Sequence, residues 1–210
     1  MKSPARFITL EGGEGTGKST QAKKLVAALK KAGVASIATR EPGGSPGAEE
    51  IRNLIVHGAP NRWDTLTETL LLFAARADHV AHTIKPALAK DKWVICDRFT
   101  DSTYAYQGAG RGLARETIRR MEAIVLDDFR PDLTLILDMP VEAGLRRTHS
   151  RGQGATRFES FDLAFHERLR QSFLGIARRS RDRCVVVDAS SNVDSVAAAI
   201  WNVVAKRFKL

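Results

Sequence analysis

The chain has 210 residues, of which 43% are hydrophobic, and this size fits one globular domain spanning residues 1–210 rather than two. Its net charge of +9 is concentrated in residues 146–183, which hold ten arginines against four acidic residues, so the charge does not indicate a uniformly basic surface for nucleic acid. The longest uncharged apolar run, residues 195–205, is shorter than the roughly 20 residues needed to cross a bilayer. We therefore expect a soluble protein whose partners include neither nucleic acid nor a membrane.

The two cysteines indicate the redox environment. Cys96 and Cys184 each lie inside a short apolar run, WVIC and CVVV, which is typical of buried thiols in strands rather than of a disulfide or a metal site. The first residues do not show the basic and apolar regions of a secretory signal. We expect free thiols and a cytoplasmic location.

Strand-like and helix-like segments alternate along the whole chain. Short apolar runs predict buried strands at 5–10, 34–39, 92–97, 133–138 and 184–188. Helical periodicity predicts helices at 18–31, 47–57, 65–90, 113–128, 140–149, 162–180 and 193–208. This order predicts an α/β fold with a five-stranded parallel sheet, and right-handed crossovers require helices on both faces of that sheet.

The arginines that follow residue 160 have a simple interpretation. Charge runs usually face water, so we interpret them as a solvated helix face. They are Arg168, Arg170, Arg178, Arg179, Arg181 and Arg183.

The segment between the first strand and the first helix is rich in glycine. It matches the pattern G-x-x-x-x-G-K-[ST], in which backbone N–H groups and a helix N-terminus surround phosphate oxygens. In this pattern Lys18 reaches the β and γ phosphates, and the Ser19 hydroxyl binds Mg²⁺. The sequence therefore predicts a site for ATP and Mg²⁺ formed by Gly12, Gly13, Glu14, Gly15, Thr16, Gly17, Lys18, Ser19 and Thr20.

The phosphoryl acceptor could be water, a macromolecule or a small molecule. A guanine-specifying N-K-x-D element is not evident, because the nearest string, NRWD at 61–64, does not follow a strand. A nucleic-acid motor generally needs more chain than one small domain. A small-molecule kinase is therefore the leading interpretation, and an ATP-dependent nucleic-acid-binding protein is the alternative that the basic charge favours.

Charged residues end two of the predicted buried strands. Asp97 and Arg98 follow WVIC, and Asp138 ends LTLIL. Ligands bind at the carboxyl ends of parallel strands, and buried charges are costly unless they serve a site. Asp97 and Asp138 are thus rival candidates for a carboxylate near the metal, although Asp97 could also simply cap a helix.

Five blocks in this order resemble the thymidylate kinase family over nearly the whole chain. They are GGEGTGKST (12–20), TREPGG (39–44) with EEIR (49–52), TETLLLFAARADH (67–79), DRFTDSTYAYQG (97–108) and RRTHSRGQGATRFESFD (146–162). The likeness is to the bacterial branch, in which the phosphate loop lacks an arginine, here Gly15, and a lid supplies one instead. The resemblance implies the P-loop nucleoside monophosphate kinase fold, transfer of phosphate from Mg-ATP to dTMP, and a homodimer packed through the long helices. A kinase of another nucleoside monophosphate is the nearest alternative.

The resemblance also implies roles for individual residues around the acceptor. Asp97 faces the Mg²⁺ and phosphate site, with Asp138 on the far side of the loop strand. Arg98 and Arg52 hold the acceptor phosphate, although Arg52 could equally pair with Glu49 on its own helix. The implied dTMP site comprises Glu41, Pro42, Arg52, Phe73, Arg76, Arg98, Ser102, Thr103, Tyr106 and Gln107.

Three of these residues recognise the nucleoside in the implied site. Arg76 donates to thymine O4, and Gln107 contacts the remaining edge of the base. Tyr106 fills the space that a ribose 2′-hydroxyl requires. The family commonly has a stacking aromatic residue where Leu72 stands here, so Phe73 is the candidate for that contact, with a core position as its alternative.

The last block implies a lid at about residues 147–160. Arg147, Arg151 and Arg157 cluster around Gly152 and Gly154. We expect Arg151 and Arg157 to act in catalysis beside Lys18, Asp97 and Arg98. His149, where relatives often have an arginine, is interpreted as a solvent-facing residue without a role.

Overall fold

The computed structural model of the chain describes residues 4–59, 61–149, 158 and 161–210. Five strands form one parallel sheet in the order β2-β3-β1-β4-β5, which confirms the predicted fold class. The strands are β1 (Phe7–Glu11), β2 (Ser36–Arg40), β3 (Trp93–Asp97), β4 (Leu133–Asp138) and β5 (Cys184–Asp188). All five occur where the apolar runs predicted them.

The helices follow the predicted periodicity closely. They are α1 (Lys18–Lys31), α2 (Pro46–Val56), α3 (Thr65–His79), α4 (Lys85–Ala89), α5 (Thr100–Thr103), α6 (Arg115–Leu126), α7 (Val141–His149), α8 (Leu163–Arg179) and α9 (Val193–Phe208). A π-helical segment, Val80–Ile84, joins α3 to α4. The helix predicted at 65–90 is therefore present over almost its whole length, but its middle is π-helical.

One helical region was not predicted. Helix α5 continues directly into a second π-helical segment, Tyr104–Gly110. Its sequence, TDSTYAYQGAG, contains small, polar and glycine residues without the 3.6-residue apolar repeat that identifies a helix.

Alternate residues of the central strands supply separate cores on the two faces of the sheet. Ile8 and Leu10 of β1 pack with apolar residues of α1 and α9. Phe7 of the same strand packs on the other face with Ile84 and Phe99. Because both faces are covered, β1 and β3 are buried along their whole length, as parallel strands usually are.

The arginine-rich segment is only partly the solvated face that the charge run predicted. Arg168, Arg178, Arg179 and Arg181 are exposed. Arg170 instead donates two hydrogen bonds to Asp138, and Arg183 donates two to the buried Asp101. Arg170 pairs with Asp138 at the end of β4, and Arg183 pairs with the buried Asp101 on α5, so that part of the interpretation was wrong.

Both cysteines, Cys96 and Cys184, are buried free thiols, as predicted. Within the described ranges, no helix has both the length and the apolar character needed to cross a membrane.

Candidate active site

A cavity of about 220 Å³ lies at the carboxyl ends of β1, β2 and β3. This is the edge of a parallel sheet at which ligands usually bind. The phosphate loop, α3 and the segment 100–110 all contribute to its walls. Its walls include Glu14, Lys18, Ser19, Glu41, Pro42, Arg52, Leu72, Arg76, Asp97, Arg98, Ser102, Thr103, Tyr106, Gln107 and Phe158.

Lys18 is folded over the phosphate loop. Its Nζ donates to the carbonyl oxygens of Gly12 at 3.1 Å and Gly13 at 2.7 Å, and to the hydroxyl of Thr16 at 3.3 Å. Burial lowers the pKa of Lys18 to about 8, and the nearby Arg98 adds to this effect. The loop therefore presents a desolvated ammonium group that phosphate oxygens would stabilise in its charged form.

Gly15 accounts for the absence of an arginine from this loop. Its φ is +71°, and a Cβ at this position would lie 1.9 Å from the carbonyl oxygen of Gly144 on α7. The two backbones are in direct contact, so this loop has no space for any side chain at position 15.

Ser19 and Asp97 lie together at the start of α1 and the end of β3. The Ser19 hydroxyl donates to Asp97 Oδ2, and the buried Oδ1 has no hydrogen-bond partner among the described residues. A hydroxyl and a carboxylate are hard oxygen ligands of the kind that Mg²⁺ takes together with water and phosphate. The rival Asp138 is held by Arg170 at 2.8 and 3.0 Å.

Arg98 reaches from the end of β3 to the phosphate loop. Its guanidinium donates to Gly12 O at 3.1 Å, Ser102 Oγ at 3.2 Å and Glu14 Oε1 at 2.9 Å, and it lies over the ring of Tyr106. Its φ of +70° is a left-handed backbone conformation that is uncommon outside glycine and often found at functional sites. These contacts place a fixed positive charge between the loop and the rest of the cavity.

Glu11 is the last residue of β1, which pairs with β3 next to Arg98, and sequence reasoning missed it. Its carboxylate accepts from the Phe99 N–H at 2.7 Å, the Ser102 N–H at 3.3 Å and the Ser102 hydroxyl at 2.6 Å. Burial raises the pKa of Glu11 to about 8, and Asp101 adds to the rise. The signal was available, because Glu11 is a charge at the end of a buried strand, as Asp97 is.

Arg52 does not form the alternative pair with Glu49. Glu49 instead accepts two hydrogen bonds from Arg40, both at 3.0 Å. Arg52 Nη1 donates to Pro42 O at 2.6 Å and lines the cavity. Two arginines from different elements, Arg52 and Arg98, therefore contribute to one cavity wall.

Arg76 on α3 is a buried charge that lines the cavity. Its Nε donates to Glu41 Oε2 at 2.7 Å, and its Nη2 donates to Phe99 O and Thr103 Oγ1. Its Nη1 has no hydrogen-bond partner among the described residues.

The prediction that Phe73 contacts a base is not supported by its position. The Phe73 ring is buried beneath the Arg76 guanidinium, whose carbon lies 4.9 Å from the ring centroid. Leu72, one position earlier, lines the cavity instead. Both residues lie close to the face of α3 that carries Arg76, so spacing alone could not separate them.

Gln107 and Tyr106 both have carboxylate partners that were not predicted. Gln107 Nε2 donates to Glu68 Oε1 at 2.8 Å, and Glu68 also pairs with Arg111. The Tyr106 hydroxyl donates to Glu14 Oε1 at 2.7 Å. The single acid in the apolar stretch of α3 was the signal for Glu68, whereas nothing local indicated that the Glu14 side chain faces Tyr106.

The lid is described only in part. Arg147 donates to Ala189 O and Ser190 O, both at 3.0 Å. The Phe158 ring contacts Tyr106 edge to face at 5.6 Å and lines the cavity, which the sequence did not indicate. Arg151, Arg157 and the side chain of His149 lie outside the described residues.

Comparisons with known proteins identify the family. The sequence profile of the family described as thymidylate kinase matches residues 10–200. A protein named thymidylate kinase from Caulobacter vibrioides is 57% identical over 204 residues, which cover 97% of this chain and 98% of the relative. One from Bradyrhizobium is 50% identical over 204 residues, covering 96% and 90%.

A solved structure has the same fold. The crystal structure of thymidylate kinase from Ehrlichia chaffeensis is similar with a TM-score of 0.78 and 34% identity, covering 95% of this chain and 98% of that one. This chain belongs to the thymidylate kinase family.

Proposed function

We propose that this protein transfers the γ-phosphoryl group of Mg-ATP to the phosphate of dTMP, giving ADP and dTDP for nucleotide biosynthesis. One observation carries the proposal most directly. A single cavity is lined by Lys18 of the phosphate loop, by Arg98 and Arg52, and by the buried donor Arg76. A nucleoside monophosphate offers a phosphate that guanidinium groups bind and a polar base edge that a buried donor can contact.

At the donor end, residues Gly12–Thr20 surround the ATP phosphates. Lys18 follows the charge on the β and γ phosphates, and its carbonyl contacts at 2.7 and 3.1 Å give way to phosphate oxygens. Ser19 and Asp97 would hold Mg²⁺, which neutralises charge on the phosphates when it is bound. The buried Asp97 Oδ1, with no hydrogen bond among the described residues, supports this assignment.

At the acceptor phosphate, Arg98 and Arg52 form a clamp. Guanidinium groups bind phosphate through paired N–H donors in a way that lysine does not. The acceptor oxygen is already anionic, so the reaction needs positioning and charge neutralisation rather than a strong base.

The part of the cavity around Arg76 recognises the nucleoside. Arg76 Nη1 donates to thymine O4, and Gln107 contacts the remaining polar edge. Tyr106 occupies the space of a 2′-hydroxyl and so favours a deoxyribose. Glu41, Pro42, Ser102 and Thr103 complete the site, with Leu72 taking the position beside the base that we had expected of Phe73.

The lid at about residues 147–160 belongs to the same single domain in this proposal. Arg151 and Arg157 stabilise the charge that spreads over the migrating phosphoryl group. The contact between the Gly15 and Gly144 backbones supports this, because the loop cannot carry its own arginine.

We further propose a homodimer in the cytoplasm. Exposed large apolar side chains lie on three neighbouring helices, α2, α3 and α6: Leu54, Leu66, Leu70 and Ile124. Such a group of side chains suits burial against a second copy. The buried free thiols Cys96 and Cys184 suit a reducing compartment.

Product analysis tests the activity. The protein is incubated with dTMP and Mg-ATP, and the nucleotides are separated by anion-exchange chromatography. We expect dTDP and ADP in equal amounts, and both to form more slowly by about 10²-fold or more with Lys18→Ala. Formation of ADP without dTDP would mean that water is the acceptor and would refute the proposal.

A further inference from the structure

Among the described residues, the hydrogen bonds of Arg76 leave one of its nitrogens, the buried Nη1, without a partner. The residue is 2% exposed, its Nε bonds Glu41 at 2.7 Å, and its Nη2 bonds Phe99 O at 3.2 Å and Thr103 Oγ1 at 3.1 Å. A guanidinium is a rigid planar fork, so fixing Nε and Nη2 also fixes the direction of Nη1. Whatever holds Glu41 therefore determines where Nη1 points.

Glu41 is held in turn by a buried histidine. His79 Nδ1 lies 3.1 Å from Glu41 Oε1, and its Nε2 lies 2.7 Å from Thr39 Oγ1. Because carboxylate oxygens accept hydrogen bonds, the arrangement fits a ring that donates from Nδ1 to Glu41, and the Thr39 hydroxyl can serve Nε2 as either donor or acceptor. The result is a continuous row of hydrogen bonds from Thr39 through His79 and Glu41 to Arg76.

The row is enclosed by backbone. His79 is 0% exposed, and a Cβ on Gly44 would lie 2.4 Å from both His79 Nε2 and Thr39 Oγ1. Arg76 and His79 are three residues apart at the end of α3, so both side chains reach the Glu41 carboxylate from one face of the helix. An ion pair alone would need only Arg76, whereas the second donor fixes the rotation of the carboxylate.

We propose that His79, supported by Thr39, is a positioning residue that orients Glu41 and thereby directs Arg76 Nη1 at the polar edge of the acceptor base. This inference rests on the proposed function. A base with a carbonyl at that edge accepts from Nη1, whereas one with an amino group there leaves two donors facing each other. His79 thus sets discrimination between keto and amino pyrimidines without contacting either.

Kinetics of the full-length protein on dTMP and dCMP test this role. His79→Leu removes the donor to Glu41, and we expect the KM for dTMP to rise about tenfold, the size of effect expected from a lost buried hydrogen bond. The KM for ATP should stay within about twofold, and the preference for dTMP over dCMP should fall. His79→Asn, whose amide nitrogen can replace Nδ1, should recover most of both losses.

A matched control distinguishes the effect of the buried hydrogen bonds of His79 from that of replacing a nearby surface histidine. His82 is three residues further on, 66% exposed and paired with Asp78, so His82→Leu should leave both KM values and the base preference unchanged. If His79→Leu does not fold by circular dichroism, Thr39→Val and His79→Asn decide the question. Thr39→Val should show a smaller rise in the dTMP KM than His79→Leu is expected to cause.

The outcomes distinguish the two proposals. A parent protein that does not phosphorylate dTMP refutes the proposed function. A parent that does, together with folded His79 and Thr39 variants that keep its dTMP KM and its preference over dCMP, refutes the positioning role. Equal increases in the KM for dTMP and ATP would also refute it, because they would indicate general loosening of the fold.

Discussion

Arg98 Nη2 lies 2.9 Å from Glu14 Oε1, so the arginine at the end of β3 is salt-bridged to the phosphate loop. The Tyr106 hydroxyl donates to the same oxygen at 2.7 Å. Burial opposes ionisation of Glu14, but Arg98, Lys18 and Tyr106 outweigh it and lower its pKa to about 2. The carboxylate is therefore charged at physiological pH and connects the phosphate loop to Arg98 and Tyr106.

A double-mutant cycle measures this connection. Arg98→Ala, Glu14→Ala and the double variant are compared with the parent by urea unfolding. Both side chains are 16% exposed, so we expect a coupling free energy of about 1 kcal/mol or more. Arg119 and Glu116 are the control, because their side chains are 67% and 51% exposed and such pairs couple by about 0.5 kcal/mol or less. Equal coupling in the two cycles would contradict this interpretation.

Glu11 should make stability depend on pH. Its pKa is raised from 4.5 to about 8, so the folded protein holds this proton more tightly than the unfolded chain does. The resulting stability is fully present below about pH 4.5 and is lost as the pH rises through about 8. The Gln side chain of Glu11→Gln cannot ionise. Between pH 5 and 8 the free energy of unfolding of this variant should therefore rise relative to that of the parent, by at most about 1.4 kcal/mol per pH unit.

Urea unfolding of both proteins across this range measures the difference. Glu50→Gln, on the exposed side of α2, is the control for loss of a carboxylate. A parallel pair of curves for Glu11→Gln and the parent would mean that Glu11 is ionised in the folded protein throughout.

Lys18→Ala should lower turnover by about 10²-fold or more, because the lysine stabilises charge that develops on the phosphates. A second consequence follows from its pKa of about 8. Polyphosphate binding should raise this pKa, so at about pH 8.5 the parent should take up protons when it binds ATP. Isothermal titration calorimetry in buffers of different ionisation enthalpy measures this uptake. A Lys18→Ala variant with the same uptake would assign the proton to another group.

Arg151→Ala and Arg157→Ala test the lid. At least one of them should lower the turnover number by about 10³-fold with little change in ATP affinity, as loss of an arginine that contacts the transferred phosphoryl group does. Arg178→Ala, on the exposed side of α8, is the matched control and should behave like the parent. If the single variants and the double variant also turn over like the parent, these arginines have no catalytic role.

Local pattern was sufficient to predict the sheet and the phosphate loop. Buried parallel strands are continuous apolar runs, and the loop needs glycines at fixed spacing before Lys18, so both leave a signal within a few residues. The segment 100–110 leaves no such signal, because its helical geometry is stabilised by a distant carboxylate. Glu11 is 91 positions away from Ser102, whose N–H and hydroxyl it binds.

The same limit applies to the cavity. Only the fold shows that Glu41 and Thr103 meet Arg76 from 35 and 27 positions away. Phe73 is buried beneath Arg76 whereas Leu72 lines the cavity, and this difference depends on how α3 packs in the fold rather than on spacing along the helix.

The initial rate of ADP formation with six acceptors tests the central claim most directly. The parent protein is assayed with Mg-ATP and, separately, dTMP, dUMP, AMP, GMP, CMP and UMP. We predict a higher kcat/KM with dTMP than with any of the four ribonucleotides, because in the proposed site Arg76 Nη1 donates to a carbonyl oxygen of the base and Tyr106 occupies the space of a 2′-hydroxyl. Equal or greater kcat/KM with any of the four ribonucleotides would contradict the assignment.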